Sequence, residues 1–137
     1  MPKFVIDTNV WVMSLTSRSK YHPIYLALVA QKFELAVNHD ILLEYEEIIT
    51  EKYGERTAQN FIDLLHILPN VHFVQSYFQW RLIAADEDDD KYVDTCIAYG
   101  ADMLVSEDGH FDILEQIPFP KVTRIRIDEF LALVKSL

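Results

Sequence analysis

The feature that most constrains this chain is an alternation. Short apolar runs of strand length are separated by longer stretches whose apolar residues recur every three or four positions. KFVID opens the series, and FELAV, VHFV, ADMLVS and KVTRIRI continue it. Between them WVMSL, HPIYLALVAQ, ILLEYEEIITEKY, ERTAQNFIDLLHIL and DEFLALVKSL read as helices, with Pro23 suited to a first turn and Asn38 or Asp40 to a cap. FDILEQI predicts one or two helical turns, and QWRLIAADEDDDKYVDTCIAYG a short helix, an acidic turn and a second helix. Strands joined through helices require crossovers, so the pattern predicts an α/β fold with a central parallel sheet flanked by helices on both faces.

The chain has 137 residues, 50% of them hydrophobic, which suits one domain over residues 1–137 with a real core. The apolar runs fall short of the ~20 residues a membrane helix needs, so no membrane association is expected. The N-terminus has no basic segment followed by a long apolar core, so no signal peptide is expected either. A single cysteine, Cys96, excludes an internal disulfide and fits a reducing cytoplasm. The net charge of −10 argues against a protein that holds nucleic acid through a broad basic surface. It leaves room for an enzyme that meets phosphates through a bound cation.

The acids decide between these options. In open parallel sheets, ligands bind beyond the C-terminal ends of the strands. Asp7 follows FVI, and Asp108 follows MLV by three residues. A carboxylate at the mouth of a buried strand is costly unless it is hydrogen-bonded, paired or bound to a metal, so Asp7 either caps the next helix or belongs to a site. Asp90 opens the helix that leads into MLV, after an acidic run from Asp86, and is either an N-cap or a site residue. Asp94 lies one turn further on the same face, a like-charge spacing that costs ~0.2–0.5 kcal/mol without a cation between the two. Tyr92, Val93, Cys96 and Ile97 make up a different, apolar face. In ILLEYEEII, Glu47 points away from the apolar stripe, whereas Glu44 and Glu46 flank it on opposite sides and periodicity does not choose between them. The five histidines lack zinc-ligand spacing, Cys96 reads as buried and inert, and Trp11 and Trp80 read as core or interface residues. Arg18, Lys20, Arg124 and Arg126 are scattered cations that either meet a nucleic-acid backbone or simply solvate the surface.

FVIDTNVWV, ILLEYEEII and DEDDDKYVDTCIAYGADMLVSEDGHF, followed by a last strand and helix, together resemble the PIN domain. The resemblance spans nearly the whole chain and is closest to a toxin-like branch of bacterial toxin–antitoxin systems. It implies a PIN-like fold and a ribonuclease that depends on Mg²⁺ or Mn²⁺ and leaves a 5′-phosphate and a 3′-hydroxyl. Carried over by position, the catalytic and metal-binding acids are Asp7, Glu44, Asp90 and Asp108, with Asp89 as the alternative alignment for the third. Thr8 and Asn9 are polar neighbours, Ser106 stands where a threonine is usual, and Asp94 is an extra supporting carboxylate. RNA is then the substrate and a cognate antitoxin the partner, and the aromatics of YFQW leave a homodimer open. Two other readings compete. A phosphatase using Asp7 as nucleophile wants a second aspartate two residues on, where this chain has Asn9, and a receiver domain fits worse. A silent PIN-fold binding module is the other; an EF-hand loop is excluded because Lys91 and Ile97 replace its Gly and Glu.

Overall fold

The computed structural model describes residues 1–137. Strands β1 (Lys3–Ile6), β2 (Glu34–Val37), β3 (Val71–Phe73), β4 (Met103–Val105) and β5 (Arg124–Ile125) form one parallel sheet in the order β3-β2-β1-β4-β5. Helices α1 (Thr8–Ser14) and α2 (His22–Val29) connect β1 to β2, and α3 (His39–Tyr53) and α4 (Glu55–Ile67) connect β2 to β3. Helix α5 (Asp90–Tyr99) precedes β4, a 3₁₀ segment (Gly109–Gln116) precedes β5, and α6 (Ile127–Lys135) follows it. Crossovers run one way from β1 to β3 and the other way from β3 to β5, so right-handed connections put helices on both faces.

Central β1 explains the sequence pattern. Phe4, Val5 and Ile6 are all buried, as a strand covered on both faces requires. Phe4 pairs with Leu35 on one side and Met103 on the other, and Ile6 pairs with Val105. Phe4, Phe33 and Phe130 meet edge-on with ring centroids 4.7 to 5.5 Å apart, which fastens α6 to the sheet. On α1, Trp11 packs on Phe61 of α4 at 5.2 Å. The buried Tyr45 phenol of α3 donates to the Ile6 carbonyl. That bond fixes α3 against the C-terminal end of β1.

Two expectations change. KVTRIRI shortens to Arg124–Ile125, because this edge strand has one neighbour and β4 offers it only a three-residue ladder. QWRLIAA is not helical. Its Trp80 amide donates to Asp94 and its Ile83 amide to Asp90, at 3.0 and 2.9 Å, and Arg81 takes a left-handed φ of 53°. The acids of α5 have captured backbone donors that a helix would need for its own ladder. The resulting loop shows Tyr77 and Phe78 to solvent, with Phe78 packed on Trp80 at 4.6 Å.

Replacing Tyr45 with Phe keeps the ring and removes the bond to Ile6. Urea unfolding of Tyr45→Phe is expected to show a loss of ~1 kcal/mol, and an unchanged midpoint would refute the clamp.

Candidate active site

β1 and β4 lie side by side, and their C-terminal ends form the switch point of the sheet, where the chain departs in opposite directions. Asp7 comes directly after β1. Its amide donates to the Val105 carbonyl at 2.9 Å, and its residue surface is only 7% exposed. Although it occupies the N-cap position of α1, it makes no side-chain capping bond. Its Oδ2 instead accepts from the Ser106 hydroxyl at 2.6 Å, and the same Ser106 Oγ accepts from the Asp108 amide at 3.0 Å. One hydroxyl therefore links the ends of two strands. Asp108 caps the 3₁₀ segment by accepting from the His110 amide at 2.9 Å. Arg124 donates to the Ser106 and Asp108 carbonyls at 3.3 and 2.8 Å and so holds this loop in place. Its side chain is thereby committed to the protein rather than offered to a phosphate.

Glu44 enters from α3, next to the clamped Tyr45. Its Oε2 accepts from the Thr8 hydroxyl at 2.5 Å and from the Tyr92 phenol, and its Oε1 accepts from Lys91 Nζ at 3.0 Å. Thr8 and Tyr92 lie 2.7 Å apart, so three oxygens form a closed set. Glu46 and Glu47 are exposed, and Asn9 is exposed with no hydrogen bond to the acids. Of the polar pair after Asp7, Thr8 joins the site and Asn9 does not.

Helix α5 divides the remaining acids. Asp89, 9% exposed, sits just before it and accepts from His110 Nδ1 at 3.0 Å, while His110 Nδ1 lies 3.5 Å from Asp108 Oδ1. Burial first, and then the charges of Asp108, Asp86 and Asp7, raise the Asp89 carboxyl. Asp90 points elsewhere: it holds the Ile83 amide and lines a groove of about 440 Å³ with Asn38, Asp40, Arg81 and Asp94. Asp89 rather than Asp90 therefore stands on the side of His110 and Asp108, and Asp90 and Asp94 staple the Gln79–Ile83 loop. The sequence held a signal for this. Asp89 lies three, four and seven residues before Tyr92, Val93 and Cys96, which is the buried stripe of α5 extended by one step. Lys91, Tyr92 and His110 carried no comparable signal, since each reads as ordinary surface or core until the tertiary fold brings it to an acid.

Charge crowding marks the group. Burial raises the Asp7 carboxyl; the Ser106 hydroxyl lowers it, and the Glu44 and Asp108 charges raise it again. Burial is also the largest influence on Asp89, which is pushed up to about 6 despite its bond to His110. Burial raises Glu44 too, but the bonds from Thr8, Tyr92 and Lys91 outweigh it and leave the carboxyl below its ordinary value. His110 is raised, chiefly by its bond to Asp89 and then by the Asp108 charge. Asp86, Asp89 and His110 each offer a donor atom within 4.8 Å of the others, a spacing that suits a shared cation.

The sequence pattern of the PIN domain family matches residues 3–110. The chain belongs to the PIN domain family. Solved structures agree in fold. The VapBC2 structure of Rickettsia felis, bound to a DNA fragment from its promoter, is 15% identical with a TM-score of 0.62, over 90% of this chain and 98% of that one. Mycobacterium tuberculosis VapC20, described as a sarcin-ricin loop cleaving toxin, is 16% identical with a TM-score of 0.57, over 80% and 92%. The RRP44 PIN domain of T. brucei is 13% identical with a TM-score of 0.54, over 98% and 82%. No curated protein matches the chain in sequence.

The acids of this PIN domain give it a pH signature when metal is withheld. Asp7 and Asp89 hold protons more tightly folded than unfolded, so stability is gained as pH falls through the folded value of about 6 for Asp89. His110, raised, contributes in the same direction: its stabilisation is lost as pH rises through its folded value. Glu44, lowered, opposes them only below its ordinary value of 4.5. In chelator, the melting temperature is expected to be higher at about pH 5.5 than at about pH 7.5, with Asp89→Asn flattening the difference. A midpoint that falls on acidification across that window would contradict the assignment.

Proposed function

We propose that this PIN domain is a divalent-metal-dependent ribonuclease, the toxin half of a toxin–antitoxin pair, working through Asp7, Glu44, Asp89 and Asp108. The observation that carries the reading is Asp7: a buried carboxylate at the switch point, joined by a serine hydroxyl and crowded by other acids, with no cationic side chain bonded to it. The donor set fits Mg²⁺ or Mn²⁺, since carboxylate oxygens dominate it and the crowding is relieved by a cation. Asp89, whose carboxylate lies within 4.8 Å of the Asp86 and His110 donor atoms, would hold the ion, with Asp7, Asp108 and Glu44 completing the acidic set. The bound ion supplies activation of water and stabilisation of charge on the phosphodiester oxygens. Ser106 keeps the Asp7 carboxylate aimed, Arg124 fixes the loop that carries Asp108, and the Tyr45 clamp keeps α3 at the strand end.

The toxin reading draws on the neighbours in fold. Rickettsia felis VapBC2 and Haemophilus influenzae VapBC-1 are VapBC structures, and Mycobacterium tuberculosis VapC20 is a toxin that cleaves the sarcin-ricin loop. On that footing RNA is the substrate, a cognate antitoxin protein the partner and the cytoplasm the site of action. The exposed Tyr77 and Phe78 keep a homodimer as a second candidate assembly. No helix is long and apolar enough to cross a membrane.

The test is cleavage of a panel of structured and single-stranded RNAs with Mn²⁺ or Mg²⁺. Chelator is expected to abolish cleavage, Asp7→Asn and Asp89→Asn to reduce it by at least about 100-fold, and Asp90→Asn to leave it within about tenfold. Cleavage that survives chelation and both of the first two substitutions would overturn the mechanism. Loss in Asp90→Asn with retention in Asp89→Asn would return the third position to Asp90.

A further inference from the structure

Of the acids in the site, Glu44 is the one the protein has already supplied with a lysine. Lys91 Nζ lies 3.0 Å from Glu44 Oε1 and also donates to the Asp88 carbonyl at 2.9 Å, while its ammonium sits 5.3 Å above the Tyr92 ring centroid. Its side chain is 17% exposed, so it is not a mobile surface lysine. The other oxygen of Glu44 is spent as well: Oε2 accepts hydrogen bonds from both the Thr8 and the Tyr92 hydroxyls. A carboxylate offers about four lone-pair sites, two on each oxygen. Oε2 is therefore saturated, and Oε1 retains one site beside an ammonium. A divalent ion there would meet Lys91 at short range and be repelled. Asp7 has no cationic side chain paired with it, and Asp89 and Asp108 share only the exposed, titratable His110, at 3.0 and 3.5 Å.

We infer that Lys91 is a built-in cation that claims Glu44, so that the site binds one divalent ion on its remaining acids, and Glu44 positions the site without ligating the metal. The inference rests on the reading of this group as a divalent-cation site and sets its stoichiometry. Lys91 is then a positioning residue. It anchors α5, and with it Asp89, to α3 through Glu44.

Metal counting tests this without any activity measurement. The full chain is titrated with Mn²⁺ by calorimetry and by Mn²⁺ electron paramagnetic resonance. Wild type is expected to bind one ion. Glu44→Gln keeps the hydrogen-bonding shape and loses the charge; it is expected to bind one ion with affinity within about threefold of wild type, whereas Asp7→Asn weakens binding by at least about tenfold. Lys91→Met frees Glu44 and is expected to admit a second ion, which Lys91→Arg, restoring the charge, excludes. Two ions in wild type, a Glu44→Gln loss as large as that of Asp7→Asn, or a single ion in Lys91→Met would each overturn the inference while leaving the metal-dependent reading intact. No Mn²⁺ bound by wild type, or binding indifferent to Asp7→Asn, would overturn both.

Discussion

A carboxylate buried at the end of a strand that is itself covered on both faces must be satisfied locally, because water cannot reach it freely. Asp7 is that carboxylate, and much of the local architecture answers to it. β4 must run beside β1 so that Ser106 arrives within hydrogen-bonding distance. The Ser106 hydroxyl then also receives the Asp108 amide, which fixes where the second acid stands. Tyr45 grips the carbonyl of the preceding residue, Ile6, and so brings Glu44 to the same place. A single hydroxyl leaves the negative charge of Asp7 unneutralised, and nearby Glu44, Asp89 and Asp108 aggravate it. Packing made elsewhere in the core thus holds several acids close together.

Helix α5 shows how one short element serves two purposes. Its buried stripe, Asp89 through Tyr92, Val93 and Cys96, faces the sheet and delivers an acid and a phenol to the strand ends. Its other face, Asp90 and Asp94, binds two amides of the preceding loop and keeps that loop from closing into a helix. The run of five acids from Asp86 to Asp90 is therefore not one feature. Asp86 caps the 3₁₀ turn that starts at Glu87, Asp88 lends its carbonyl to Lys91, Asp89 joins the site, and Asp90 holds the loop.

Much of this was legible in the chain itself, and the exceptions share a cause. Apolar runs marked all five strands: central β1, buried on both faces, leaves a continuous apolar signature, while edge KVTRIRI alternates apolar and polar residues. Gly100 closes α5 in the left-handed conformation. Asp7 and Asp108 were visible as acids at strand ends. Propensity misread QWRLIAA because the competing partners of its amides lie on α5, seven and fourteen residues away. That Asp89 faces His110 while Asp90 faces the preceding loop needed the helical stripe extended one residue before the helix begins, where capping chemistry hides the periodicity.

The sequence alone determined the class of fold, the acidic character of the site and the two strand ends at which it had to form, because these follow from local burial patterns and from the cost of a charge beside an apolar strand. Only the tertiary structure decided which acids converge and which are already neutralised. Glu44 is separated from Lys91 by 47 residues and Asp7 from Ser106 by 99, and contacts across such distances are set by how the sheet and helices pack, which no local pattern encodes.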